Sequence, residues 1–125
     1  MSGPGREERG QASVELALLL PLVALLALLV VQVAVIARDQ VLVQHAAREA
    51  ARAGAVSADP DADARRGAQA SGSLDPDHLD VSTTVVGDRV RVTVTFHDST
   101  DVAIVGPALP VVDLTASATM QREGP

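Results

Sequence analysis

Residues 16–37 read LALLLPLVALLALLVVQVAVIA, twenty-two positions without a charge. At about 1.5 Å per residue the run makes roughly 33 Å of helix, enough to cross a hydrocarbon core of about 30 Å. Its only polar side chain is Gln32, and its only proline, Pro21, lies near its start. A soluble helix of this length keeps a polar face. This one has none, so the run reads as a membrane span. A secretory signal peptide has a shorter apolar core, about 7–15 residues, although Val35-Ile36-Ala37 ahead of Arg38 has the small-residue character of a cleavage site.

The rest of the composition narrows the function classes. A chain of 125 residues has room for one small domain and an anchor. There is no cysteine, which removes disulfides, thiolate nucleophiles and thiolate metal sites. The net charge of −6 and the single aromatic, Phe96, argue against a nucleic-acid partner, which needs a basic face and stacking surfaces. Orientation does not follow from charge: Arg6 and Arg9 precede the span, while Arg38, Arg48 and Arg52 follow it.

Ahead of the span stands MSGPGREERG, residues 1–10, hydrophilic and ending in glycine; then QASV, then Glu15. A carboxylate near a helix N-terminus is favoured by the macrodipole, but within lipid it is costly unless paired. The arrangement resembles the processing site of type IV prepilins, in which a membrane aspartyl peptidase cuts after the glycine. The resemblance implies a cut between Gly10 and Gln11, a prepilin-type peptidase as partner, and Glu15 as the acid needed for assembly beside a neighbour's new α-amine. Gln11 departs from the apolar residue many prepilins carry at the new terminus.

The likeness extends further along the chain. Val14-Glu15, Pro21 within the span, and Ala46-Ala47-Arg48-Glu49-Ala50-Ala51-Arg52 beyond it resemble the TadE-like family of tight-adherence pilus proteins over about residues 10–56. Membership implies a place in pilus assembly among other pilin or TadE-like subunits.

Helical periodicity continues past the span, predicting one helix over about 13–53. Leu42, Val43, Ala46, Ala47, Ala50, Ala53 and Gly54 share one face; Arg38, His45, Glu49 and Arg52 share the other. Within the span Ala17/Ala24 and Ala27/Ala34 repeat at seven residues, giving small-residue seams through which membrane helices associate. Pro21 lacks a backbone donor and is expected to bend or loosen the helix. Gly54 is expected to end it.

After Gly54 the composition changes. Asp59-Pro60 caps a short helix over 60–71, closed near Gly72. The spacing of Asp59, Asp61 and Asp63 is that of a calcium-loop start, but Ala64 and Ala70 stand where such a loop needs glycine and glutamate. Residues 79–86 and 89–96 form a hairpin about Gly87-Asp88, and 112–121 alternates as a third strand. The apolar run 102–112, broken by Gly106, Pro107 and Pro110, reads as a packed loop. A lone three-stranded sheet of this size needs a cover, and the alanine face of 42–54 supplies it.

The expected architecture is therefore α+β: a long N-terminal membrane-spanning helix packed on a small antiparallel three-stranded sheet, pilin-like in outline. Residues 1–10 form the leader, 11–56 the span and stalk, and 57–125 an extracytoplasmic head. His45, His78 and His97 lack metal-ligand spacing, and neither a nucleophile elbow nor a phosphate loop occurs. The expectation is a non-enzyme with no cofactor and no small-molecule substrate. It sits single-pass in the cytoplasmic membrane with its head outside the cytoplasm, or in an extracellular pilus. Its function is that of a pseudopilin or minor pilin acting by helix packing in the bilayer; the alternative is a permanently anchored envelope binding module.

Overall fold

The computed structural model describes residues 4–72, 74–98 and 112–123. Helix α1 spans Pro4–Ala55 and continues through Pro21. Its first turns lie outside the expected 13–53. Proline is tolerated at a helix start, Glu7 suits the positive end, and Arg6, Glu8 and Arg9 are good helix formers. Gly10 costs about 1 kcal/mol relative to alanine, too little to break the helix. Helix α2 spans Pro60–Ala70, a 3-10 turn spans Pro76–His78, and strands β1, β2 and β3 span Leu79–Val86, Arg89–Asp98 and Val112–Gln121. Of the run 102–112, expected to be a packed loop, residues 102–111 lie outside the described residues, and Val112 begins β3.

The chain divides into two compact units, Met1–Ile36 and Ala37–Pro125. The first holds α1 as far as Ile36, its polar start included. The second contains the remainder of α1, α2 and an antiparallel sheet in the order β1-β2-β3. This is the α+β arrangement expected.

Local chemistry accounts for the elements of the second unit. The Asp59 side chain accepts from the Ala62 N–H at 3.3 Å, capping α2 with Pro60 in its first turn. Gly72 follows that helix at φ +70°. Asp75 caps the 3-10 turn in the same way, accepting from the Asp77 N–H at 3.0 Å. Gly87 has φ +61° and Asp88 does not have positive φ, the pattern of a type II′ hairpin turn. The turn sets the register, pairing Val86 with Arg89 and, further along, Leu79 with Phe96.

The core lies on one side of the sheet. Val90, Val92, Val94 and Phe96 of β2 are buried, with Leu79 and Val81 from β1 and Leu114 from β3. Against them lie Val43, Ala46, Ala47, Ala50, Ala51 and Ala55 of α1, with Ala64 and Ala68 of α2. The cover expected from residues 42–54 is thus in place, with Ala51 and Ala55 added and with Leu42 and Ala53 only half-buried.

Gly54 does not act as expected. It lacks the positive φ of a glycine terminator, and α1 runs on to Ala55. It is a contact residue instead: a Cβ there would stand 3.1 Å from the Pro60 carbonyl oxygen and 3.5 Å from both Ala64 and Val90. The helix end is served from elsewhere, the Glu123 N–H donating to the Ala55 carbonyl at 3.2 Å.

Gly67 sets how closely α2 approaches α1. A Cβ there would meet Ala53 Cβ at 2.9 Å, the Glu49 carbonyl at 3.0 Å and Ala50 Cα at 3.2 Å. Two of these neighbours are backbone and cannot rotate away. Gly67→Val should therefore lower unfolding stability by about 1–3 kcal/mol, read as a reduced midpoint in denaturant unfolding of the detergent-solubilised chain.

Candidate functional site

Two features of the molecule carry chemistry that folding alone does not require: the apolar segment of α1, and the outer face of the sheet.

From Val14 to Val35 the large apolar side chains of α1 are exposed, from 41% at Val35 to 73% at Leu18. Burying one such side chain is worth about 1.5–3 kcal/mol. Left in water, the segment would forgo more than the roughly 5–15 kcal/mol that holds a domain folded. Water is not the solvent for this surface. The helix carrying it, Gly5–Ala55, is long and apolar enough to cross a membrane, with a mean hydropathy of 2.9 in its most apolar window.

The residues singled out from sequence all lie along this helix. Gly10 and Gln11 are helical and exposed, with open space around Gly10. Nearby, the Ser13 hydroxyl donates to the Arg9 carbonyl at 2.9 Å. Glu15 is exposed and lies three turns from the start of α1, whereas the macrodipole acts within the first turn. With the helix beginning at Pro4, its N-terminal end is too distant to act on the Glu15 charge. Ala17, Ala24, Ala27 and Ala34 are exposed. Seven residues bring a helix back almost to the same angle, so Ala17 and Ala24 form one small-residue strip and Ala27 and Ala34 another.

Residues 10–52 match the family described as TadE-like protein. Over that segment the chain is similar to TadE-like proteins. The match covers about a third of the sequence and takes in Val14-Glu15, Pro21 and the Ala46–Arg52 stretch on which the resemblance rests. No curated protein and no solved structure matches the chain.

The outer face of the sheet is built from cross-strand polar pairs. Arg91 Nε donates to Thr119 Oγ1 at 3.4 Å; the hydroxyls of Thr93 and Ser117 lie 2.9 Å apart, and those of Thr95 and Thr115 3.3 Å apart. The row ends at His97, whose Nδ1 lies 2.7 Å from Asp113 Oδ1 and whose Nε2 lies 2.8 Å from Asp80 Oδ2. One imidazole thus ties β2 to both neighbouring strands. Both ring nitrogens face carboxylates, so the doubly protonated ring is favoured. The hydrogen bond to Asp113, then that to Asp80, raises the His97 pKa above its ordinary 6.5.

Sequence reading missed this cluster, finding in the three histidines only the lack of metal-ligand spacing. Strand alternation puts Asp80, His97 and Asp113 on the polar side, and the Gly87-Asp88 turn fixes the Asp80 side of the register. The β3 register follows no short turn and was not legible. His78 sits in the 3-10 turn, 3.3 Å from Asp75. His45 lines a groove of about 480 Å³ between α1 and α2, beside Glu49 and Arg52. Asp61 and Asp63 pair with Arg65 and Arg66 on α2. Among the described residues no group of three His, Cys, Asp or Glu side chains could hold a metal ion.

Because the folded pKa of His97 lies above its unfolded value, its contribution to stability is fully present below about pH 6.5 and is lost as pH rises through the raised value. The difference in melting temperature between the parent chain and His97→Gln should accordingly be larger at pH 6 than at pH 9. A difference that grows with pH would contradict the clamp.

Proposed function

We propose that this chain is a membrane-anchored pseudopilin or minor pilin that takes part in assembling a tight-adherence-type pilus. The observation that carries the reading is a coincidence of two spans. The TadE-like match, residues 10–52, encloses the stretch from Val14 to Val35 whose exposed apolar side chains need a non-aqueous surrounding. Lipid is the first partner, and the helices of other pilin or TadE-like subunits are the second. The chain itself does no catalysis and needs no cofactor. It crosses the cytoplasmic membrane once, with the sheet-bearing part outside the cytoplasm or carried into an extracellular pilus.

On this reading a prepilin-type peptidase removes residues 1–10, leaving the α-amine on Gln11. Four residues separate that amine from Glu15, which puts both on one side of the helix. Glu15 then stays charged at the lipid boundary by pairing with an amine, preferably a neighbour's, since an unpaired carboxylate in the bilayer centre costs about 2.5–3.5 kcal/mol. The Ala17/Ala24 and Ala27/Ala34 strips let helices approach closely. Pro21 has no N–H to give the Ala17 carbonyl and locally loosens the rod.

The second reading is a permanent anchor carrying an envelope binding module. One observation favours it: α1 is unbroken from Pro4 through Gly10 and Gln11, and a peptidase must first unwind a helical peptide bond to bind it extended. Intact-mass measurement of the protein recovered from membranes separates the two readings. The pilin reading expects a chain beginning at Gln11, and blocked processing when Gly10 is replaced by a bulky residue. A full-length chain supports the permanent anchor.

Glu15→Ala should leave processing intact while reducing the material recovered in sheared filaments by about tenfold, the factor that about 1.4 kcal/mol of lost pairing gives. Normal filament recovery with that variant would remove the role assigned to Glu15.

A further inference from the structure

The residue that cleavage after Gly10 would place first has reactive chemistry of its own. Gln11 is exposed, and open space surrounds Gly10 beside it. Among the described residues its side-chain amide has no hydrogen-bond partner. Ser13 donates to the Arg9 carbonyl instead. In the uncut chain the Gln11 nitrogen is a peptide nitrogen within α1 and is not a nucleophile. As a terminal amine it would be one, with only Cα, Cβ and Cγ between it and the electrophilic Cδ of its own side chain. A χ1 of about −60°, an ordinary helical rotamer, turns Cγ toward that nitrogen, and nothing packed around the side chain prevents the γ-lactam from closing.

We propose that Gln11 caps itself, an inference that rests on the reading in which the leader is removed after Gly10. The α-nitrogen attacks Cδ, the bond from Cδ to Nε2 breaks, and ammonia leaves with a proton taken from the α-nitrogen. Nothing is oxidised or reduced, and no co-reactant is needed. The product is a pyroglutamyl end, which carries no charge.

An ammonium has no lone pair, so a carboxylate that keeps the amine protonated also holds off the attack. Glu15, exposed and on the same side of the helix as Gln11, is placed to do this on its own chain or on a neighbour's. An ordinary α-amine has a pKa of about 7.7–8.0, so near neutrality on the order of a tenth is free to react when unpaired. The positive charge offered to Glu15 in assembly therefore lasts only as long as the pairing protects it.

Intact mass and amine labelling test this on chains recovered from membranes of cells that carry a prepilin-type peptidase, sampled from the time of synthesis and held in detergent micelles. All ten basic residues are arginine and none is lysine, so a succinimidyl ester reads the terminal amine without background from side chains. A pyroglutamyl end is about 17 Da lighter than a free Gln11 end and does not label. The parent chain should lose mass and labelling together, and Gln11→Ala should keep both. Glu15→Ala should cyclise about tenfold faster, the factor that about 1.4 kcal/mol of lost pairing gives. Recovery of a full-length chain would overturn the pilin reading and the capping with it. A chain that begins at Gln11 and keeps its amine and its mass would overturn the capping alone, as would equal rates in the parent and Glu15→Ala chains.

Discussion

Close approach between backbones is the constraint from which the sheet-bearing unit follows. Apart from Val43, the buried face of α1 as far as Ala55 and the facing side of α2 are made of alanine and glycine, and the largest fully buried side chains in the unit are four valines, Val43, Val90, Val92 and Val94. A core this poor in bulk gains its dispersion energy by bringing atoms near, not by filling a wide gap. Gly54 and Gly67 mark where the spacing is tightest, and neither position has room for a methyl group without displacing backbone. The same closeness lets the chain after β3 return to α1, where the Glu123 N–H meets the Ala55 carbonyl. A larger residue at Gly54 or Gly67 would press against backbone and push the elements apart.

The degree to which the fold was legible depended on the range of the interactions involved. The hairpin was readable because Val90, Val92, Val94 and Phe96 alternate with polar residues and because Gly87-Asp88 suits one turn type; both are local facts. Helix α2 was readable from Asp59-Pro60 for the same reason. Gly54 misled because glycine after an apolar helix usually means a left-handed end, whereas here it answers to Pro60, Ala64 and Val90, residues brought to it by tertiary packing. The His97 clamp was hidden in the same way: Asp113 reaches it through a register that no short connection specifies. Of the candidate site, the apolar run and its resemblance to TadE-like proteins were plain in the residues, since both are patterns along one helix.

The outer face compensates for what the core lacks. With one aromatic in the chain, the sheet has little apolar area to spend on cross-strand contacts. Instead it carries a row of directly opposed polar pairs, Arg91 with Thr119, Thr93 with Ser117, Thr95 with Thr115, and His97 with Asp113. Each such pair is worth about 0.2–1 kcal/mol, and together they fix register as well as stability. A shift of one residue would turn every valine of β2 outward and break every pair in the row at once.

Helix α1 holds two surfaces that obey different rules. Past Arg38 one face is buried under protein and the opposite face is polar; before it, apolar side chains point in every direction. The boundary residues matter most where the surroundings change, and Glu15 is the sharpest case. With α1 beginning at Pro4, it lies too deep in the helix for the macrodipole to hold its charge. In the full-length chain headgroup water or a nearby cation would have to do so instead. Under the pilin reading proposed above, water would stabilise Glu15 equally in every copy and give no reason for helices to align. A neighbour's amine would stabilise it only when two helices stand in register, so the carboxylate's solvation energy would then set the stagger between them.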